Sequence, residues 1–114
     1  IETIYFDLDK WNIRSDAAVE LAKIETVLKE HPNMKISIRS HTDSRQSNKY
    51  NQELSEKRAI STKKWLISNG ISEDRLEAKG YGETQVLNEC TDGVDCSDEA
   101  HQLNRRSEFI IIQN

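Results

Sequence analysis

The spacing of the apolar residues predicts alternating strands and helices in the first third of the chain. Residues 3–7 (TIYFD) are β-branched and aromatic, which is typical of a strand. From Asp16 onward the apolar positions repeat at helical spacing and form a stripe of Ala17, Leu21, Ile24 and Leu28. Residues 34–40 (MKISIRS) then alternate strictly between apolar and polar, which indicates a half-buried strand.

The first predicted helix has recognisable ends. Ser15 or Asp16 is the expected N-cap, because short polar side chains there accept hydrogen bonds from the first backbone N–H groups. Pro32, in the HPN sequence at 31–33, disfavours helical geometry in the residue before it, so we expect the helix to stop there.

A second helix and two further strands are predicted downstream. The helix is expected from about Ser47 to Asn69, and Gly70 suits the left-handed conformation that often follows a helix. Its inward-facing residues are predicted to be Leu54, Ala59, Thr62, Trp65 and Leu66. Residues 75–80 (RLEAKG) and 107–113 (SEFIIIQ) are the two strands. The last has apolar residues on both faces, which favours a central place in the sheet.

The predicted order is therefore β-α-β-α-β-β. Right-handed crossovers between the strands place both helices on the same face of the sheet. We expect an α/β (α+β) two-layer sandwich with a mixed four-stranded sheet. A chain of 114 residues is long enough for one hydrophobic core, so a single domain spanning residues 1–114 is expected. Because it begins at Ile1, without Met or a signal peptide, we expect it to be a piece of a longer protein.

Composition excludes two classes of partner. The net charge is −4 and no basic run is present, which argues against a nucleic-acid-binding domain. The longest apolar run, FIII at 109–112, is far shorter than the roughly 20 residues of a membrane-spanning helix, so we expect no direct membrane insertion.

The segment between Gln85 and Arg106 has no clear periodicity, and a loop of that length is usually functional or cross-linked. The chain's two cysteines, Cys90 and Cys96, predict a disulfide and hence an oxidising compartment. The alternative is a pair of reduced thiols. A zinc site is disfavoured because a second cysteine pair is missing.

Other candidate sites have weaker patterns. Asp92, Asp95 and Asp98 lack the ligand order of an EF-hand, so we interpret them as a solvated acidic loop and predict no metal and no cofactor. The GYG sequence at 80–82 is interpreted as a turn. His41 and Asp43 are close enough in sequence to be metal ligands or an acid/base pair, but nothing identifies a third ligand. No pattern of a covalent catalyst is present, so we do not expect an enzyme.

Asp43 and Arg58 are the strongest candidates for chemistry. Asp43 follows the end of a strand, where α/β folds often bind ligands, and Arg58 lies on the next helix. Together they can form a clamp for a zwitterion, in which the carboxylate accepts an ammonium group and the guanidinium grips a carboxylate. The alternative is an internal ion pair of little energetic weight. Composition alone does not decide between the two.

Three sequence blocks favour the ligand clamp over the internal ion pair. SHTDSRQSNKYNQELSEKRA at 40–59, GYGE at 80–83 and NRRSEF at 104–109 resemble the signature blocks of the OmpA-like peptidoglycan-binding domain. This domain occurs at the C-terminus of outer-membrane porins, in peptidoglycan-associated lipoproteins and in flagellar stator proteins. IYFD at 4–7 and LISNGISEDRL at 66–76 also match, so the resemblance covers nearly the whole chain.

The resemblance implies non-covalent binding of peptidoglycan through the diaminopimelate residue of its stem peptide. Asp43 would hold the side-chain ammonium of diaminopimelate, and Arg58 its carboxylate. The implied site also includes Thr42, Asn51, Leu54, Asp7, Leu8 and Arg105. Arg105 would touch the ligand or brace Asp43, with Arg106 facing the other way.

The resemblance also implies a place in the cell. The domain would tether a parent protein, anchored in the outer membrane, to the cell wall at the periplasmic face of the outer membrane of a Gram-negative bacterium. Two alternatives remain at this point: a protein-interaction domain acting through the acidic Cys90–Cys96 loop, and a metal-dependent cell-wall hydrolase using His41 and Asp43.

Two positions depart from the family pattern. Ser40 stands where the family usually has Gly, so a left-handed backbone would be less comfortable there. Ser107 stands where Val is common. Neither departure touches Asp43 or Arg58.

Overall fold

The computed structural model describes residues 3–45, 47–84, 90 and 96–113. The strands and helices are, in chain order, β1 (Ile4–Tyr5), α1 (Ser15–Glu30), β2 (Lys35–Ser40), α2 (Asn48–Ser68), β3 (Leu76–Gly80), α3 (Asp98–Gln102) and β4 (Arg106–Gln113). A 3₁₀ turn at Glu73–Arg75 leads into β3. The predicted β-α-β-α-β-β order is confirmed, with α3 added before the last strand.

The four strands form a mixed sheet in the order β1-β4-β2-β3. β2 and β3 run parallel, whereas β4 is antiparallel to both β1 and β2. The central position predicted for the last strand is therefore confirmed. Ser40, at the end of β2, is paired with Gly80 on one side and with Ser107 on the other. The loops that leave this end of β2 and β3 start side by side.

A hydrophobic core joins α1 and α2 to the sheet. The predicted stripe of α1 is entirely buried, as are Ala59 and Leu66 of α2. These side chains belong to the same cluster as Ile36, Ile38 and Phe109 of the sheet. Trp65 packs against this cluster but is only partly buried. This arrangement confirms the two-layer fold class.

The predicted N-terminal end is confirmed for α2 but is wrong for α1. Ser47 is the N-cap of α2, and its side chain accepts a hydrogen bond from the Tyr50 backbone N–H at 3.2 Å. For α1 the prediction of Ser15 or Asp16 is wrong, since Arg14 is the N-cap and makes no side-chain cap bond. Asp16 instead accepts from Arg14 Nη2 at 3.0 Å, within the first turn.

Although β4 is central in the sheet, its apolar residues are not buried on both faces. Phe109 is buried, but Ile110, Ile111 and Ile112 are between 41% and 48% exposed. Ile110 and Ile112 alternate with Phe109 and so lie on the face opposite the core cluster, and β1 pairs with β4 at Arg106 and Ser107 alone. The distal half of β4 therefore has β2 as its neighbouring strand.

Cys90 and Cys96 form the predicted disulfide. The segment that follows is not irregular throughout, because α3 begins directly after it. Ser97 caps α3 by accepting from the Ala100 N–H at 3.2 Å. Five residues are too few to show helical periodicity. The detectable signal was Ser97 followed by two acidic residues, a common start of a helix.

Candidate functional site

A narrow cleft lies beyond the C-terminal end of β2. It is lined by Leu8, Asp9, Thr42, Asp43, Asn51, Leu54, Arg58 and Arg105. These residues come from the loop after β1, the loop after β2, the first half of α2 and the segment before β4. The tertiary structure thus brings together every predicted site residue except Asp7, whose backbone carbonyl contacts Arg58 instead.

Arg58 is fully buried beneath the cleft. Its guanidinium donates to three backbone carbonyls, from Nε to Lys10 at 2.8 Å, from Nη1 to His41 at 3.0 Å and from Nη2 to Asp7 at 3.0 Å. Among the described residues these bonds use three of the five guanidinium N–H donors, so one remains on each terminal nitrogen. The loop after β1 and the loop after β2 are thereby connected to α2 through the Arg58 side chain.

The positive charge of Arg58 is unfavourably placed in the free protein. Burial and, to a smaller extent, the charge of the nearby Arg105 lower its pKa to about 10, while Asp43 acts in the opposite direction. The side chain remains protonated at neutral pH. An anion bound next to Arg58, in addition to Asp43, would offset the free-energy cost of burying the guanidinium charge.

Asp43 is buried and does not form the ion pair with Arg58 that was the alternative to a ligand clamp. Within the described part of the chain its ion-pair partners are Arg45 and Arg105, at 2.9 and 3.1 Å. Burial raises the pKa of Asp43, but hydrogen bonds from these two arginines outweigh that effect, and its pKa is lowered. The carboxylate is therefore ionised at neutral pH.

Arg105 braces Asp43, one of the two roles considered for it. Its Nη1 donates to Asp43 Oδ2 at 3.1 Å, while Nε donates to the Phe6 carbonyl at 2.9 Å. Nη2 donates to Gln102 of α3 at 2.9 Å. Arg106 points elsewhere, as predicted, with its Nε 3.3 Å from Glu108.

Sequence reasoning missed two charged residues of the site. Asp9 lines the cleft with a left-handed backbone (φ 56°) and accepts from the Tyr50 hydroxyl at 3.1 Å. Arg45 contacts Asp43 and also pairs with Asp98 at 2.9 Å. The available signals were a second acid, four residues beyond β1, and a cation two residues beyond Asp43.

The GYGE segment at 80–83 forms hydrogen bonds with the first half of α2. Gly82 has a left-handed backbone (φ 57°), in agreement with the predicted turn. Its N–H donates to Ser55 Oγ at 2.8 Å, and its carbonyl accepts from the Thr42 N–H at 2.9 Å. Glu83 accepts from Asn51 Nδ2 at 3.1 Å. These bonds hold Thr42 and Asn51 in place at the cleft.

His41 and Asp43 have separate surroundings. The His41 ring stacks on Tyr81 with 5.5 Å between centroids, and its Nε2 lies 3.0 Å from Glu108. The Asp43 carboxylate contacts arginines. Across the described ranges no three His, Cys, Asp or Glu side chains are grouped to hold a metal ion. Asp92 and Asp95 of the acidic loop lie outside those ranges.

The described helices include none with the length and apolarity needed to cross a bilayer.

Comparison with known proteins agrees with this architecture. A family model described as "OmpA family" matches residues 5–99. The chain is 36% identical over 108 residues to a peptidoglycan-associated lipoprotein of Buchnera aphidicola. The matched region covers 95% of this chain and 60% of the relative. It is 41% identical over 112 residues to the photosystem I P700 chlorophyll a apoprotein A2 of Gloeobacter violaceus, of which it covers 13%. The chain therefore spans less than two thirds of these relatives.

Two solved structures show the same fold. The peptidoglycan-associated lipoprotein of Burkholderia pseudomallei has a TM-score of 0.86 at 26% identity, covering 96% of this chain and 88% of that one. The C-terminal domain of Helicobacter pylori MotB has a TM-score of 0.84 at 24% identity, covering 100% and 86%.

Proposed function

Because this chain belongs to the OmpA family, we propose that it binds peptidoglycan non-covalently through the diaminopimelate residue of the stem peptide. The side-chain end of diaminopimelate carries an ammonium and a carboxylate on the same carbon. It is therefore a zwitterion that needs an anion and a cation close together in the site. The domain acts as a binding module rather than an enzyme.

The observation that carries the proposal is that Asp43 and Arg58 line the same cleft without forming an ion pair with each other. Asp43 is ionised and accepts the ligand ammonium. Arg58 has one N–H left on each terminal nitrogen among its described contacts, and these N–H groups hold the ligand carboxylate. That carboxylate supplies the anion that the buried guanidinium otherwise lacks.

Thr42 gives independent support. It lines the cleft and is 2% exposed, yet its Oγ1 has no hydrogen-bond partner among the residues that the structure describes. Buried hydroxyl groups normally have a partner, and Thr42 Oγ1 is therefore available to hydrogen-bond with a group that enters the cleft. We assign Thr42 Oγ1 to a polar group of the bound stem peptide.

The remaining residues of the site have supporting roles. Leu8 and Leu54 contact the methylene groups of the ligand side chain, and Asn51 contacts its polar end. Asp7 acts through its carbonyl, which orients Arg58, and Arg105 orients Asp43.

The ligand itself offers the sharpest test, because it requires no change in the protein. The probe is the tripeptide L-alanyl-γ-D-glutamyl-meso-diaminopimelate, and binding is followed by residue-resolved NMR titration. The matched control replaces diaminopimelate by L-lysine, which keeps the ammonium but lacks the carboxylate. We expect the lysine peptide to bind more than tenfold more weakly, because Arg58 then loses its anion.

A protein variant tests the other half of the clamp. Asp43→Asn keeps the shape of the side chain but removes its charge, and we expect more than tenfold weaker binding of the tripeptide. Circular dichroism establishes that the variant is folded. Equal affinity for both peptides together with unchanged affinity in Asp43→Asn would overturn the proposal.

A weak site of this kind is sufficient for tethering. The cell wall repeats its stem peptide many times, so a module on an anchored parent protein experiences a high local concentration of ligand. We propose that residues 1–114 form the peptidoglycan-binding unit of a longer protein anchored in the outer membrane and exposed to the periplasm. The disulfide is compatible with that oxidising compartment.

A further inference from the structure

We infer that Arg45 sets the ligand affinity of this site, because in the free domain it occupies the carboxylate oxygen that the ligand ammonium needs. Asp98 is the second anion that keeps the Arg45 guanidinium paired when the ligand displaces it. The inference rests on the proposed function and adds that Arg45 competes with the ligand ammonium for Asp43.

Oδ2 of the Asp43 carboxylate is saturated in the free domain. Oδ2 accepts from Arg45 Nη2 at 2.9 Å, from Arg45 Nε at 3.3 Å and from Arg105 Nη1 at 3.1 Å. Oδ1 accepts from the Arg45 backbone N–H at 3.0 Å. Each carboxylate oxygen has about two acceptor positions, so an ammonium that arrives at Oδ2 must replace a donor that is already present there.

Arg45 is the donor that can leave. The Arg105 side chain is 9% exposed and is also bonded to Phe6 and Gln102. The Arg45 side chain is 29% exposed and lies at the rim. Its backbone N–H bond to Asp43 does not depend on where the guanidinium lies, so the carboxylate keeps its orientation when the side chain moves.

Asp98 lowers the cost of that movement. Arg45 Nη1 donates to Asp98 Oδ1 at 2.9 Å, and among the described residues this nitrogen makes no hydrogen bond to Asp43. The Asp98 side chain is 87% exposed on α3, so it is free to follow the guanidinium. Binding exchanges one cation for another on Asp43 while Arg45 stays paired.

The two residues therefore act on affinity with opposite signs. Arg45 competes with the ligand and weakens binding, whereas Asp98 becomes the main anionic partner of Arg45 once the ligand has displaced it from Asp43, and this stronger pairing in the bound state strengthens binding. Exposed ion pairs of this kind correspond to about 1.4-fold to 5-fold in an equilibrium constant. Effects of that size are measurable by calorimetry or NMR titration.

The test is a double-mutant cycle with the diaminopimelate tripeptide as probe. Arg45→Met keeps the aliphatic stem without the charge, and we expect it to bind about 1.4-fold to 5-fold more tightly. Asp98→Asn is expected to bind more weakly by a similar factor. In the Arg45→Met background the Asp98→Asn change should have no further effect, because Asp98 acts through Arg45.

A matched control removes a surface ion pair at the other end of the sheet. Lys63 lies 3.6 Å from Glu73, and Lys63→Gln is expected to leave the affinity unchanged. Weaker or equal binding by Arg45→Met would overturn the inference, as would an Asp98→Asn effect that persists without Arg45. If the unmutated domain fails to bind the tripeptide, the proposed function falls and this inference with it; binding with a failed cycle overturns the inference alone.

Discussion

Ser40 and Ser107, the two positions at which the chain departs from the family pattern, share a hydrogen bond between their hydroxyl groups. Both are buried and directly paired across β2 and β4. Ser107 Oγ also lies 3.3 Å from Thr62 Oγ1 of α2. Ser40 does not adopt a left-handed backbone, so the strain considered for a residue other than Gly does not arise. The departures compensate each other.

This pairing predicts a non-additive effect on stability. Ser107→Val should lower the free energy of unfolding by about 1 to 3 kcal/mol, because the buried Ser40 hydroxyl loses its partner. The double variant Ser40→Gly/Ser107→Val removes both hydroxyls and should be less destabilised than the sum of the single variants. Urea denaturation measures all three, and strict additivity would show that the two residues are not coupled.

Gly80 is predicted to be intolerant of a side chain. A Cβ there would lie 2.5 Å from the Glu56 backbone nitrogen and 2.5 Å from Ser55 Oγ, so α2 would have to move away from β3. Gly80→Ala should cost about 1 to 3 kcal/mol of stability and shift the NMR signals of cleft residues on α2.

Gly70→Ala is the matched control for this substitution. Its φ of 99° makes alanine unfavourable, but the nearest atom is Lys29 Cε at 3.7 Å and the position is at the far end of α2. It should lower stability by about 1 to 2 kcal/mol without changing the signals of the cleft. Similar cleft shifts in both variants would contradict the assignment of Gly80 to a close-approach role.

His41 is predicted to make the fold sensitive to mild acid. Burial and the charge of Arg106 lower its pKa from 6.5 to about 4, although Glu108 acts in the opposite direction. Between these values the unfolded state binds more protons, so the free energy of unfolding falls as pH decreases from about 6.5 to 4. This lowering of the His41 pKa corresponds to a loss of about 3 kcal/mol in the free energy of unfolding.

Denaturation curves at pH 7 and pH 4.5 measure this effect. His41→Gln should reduce the loss of stability between the two pH values. His31→Gln, at an exposed position, should retain the loss seen in the unmutated protein. An equal pH dependence in all three proteins would show that His41 is not responsible.

The disulfide is predicted to stabilise the fold modestly. A closed loop with a sequence separation of 6 contributes about 2 kcal/mol by restricting the unfolded chain. Reduction should therefore lower the melting temperature. It should also loosen the residues next to Asp43, because Ser44 Oγ donates to the Cys90 carbonyl at 2.6 Å. Hydrogen exchange of Ser44 and Arg45 measures that change.

A Cys90→Ser/Cys96→Ser variant is the control for this prediction. It should melt at the temperature of the reduced protein and should not respond to reductant. If reduction leaves both the melting temperature and the exchange rates unchanged, the disulfide does not support this loop.

The sequence by itself determined the elements and the fold class. The helical stripe from Ala17 to Leu28 and the alternation of residues 34–40 require one apolar face each, and burying both faces leaves few arrangements. The three signature blocks also contain six of the residues that line the cleft, namely Thr42, Asp43, Asn51, Leu54, Arg58 and Arg105. Local features without periodicity were the ones predicted wrongly, such as the N-cap of α1, or missed, such as the short α3.

The tertiary structure decided which charges meet. Asp43 and Arg58 line the same cleft, but their contacts depend on segments distant in sequence. Arg58 is bonded to carbonyls of two loops, and Asp43 is shared by Arg45 and Arg105. Periodicity reports which face of an element is buried, whereas an ion pair depends on the distance between side chains, and packing sets that distance.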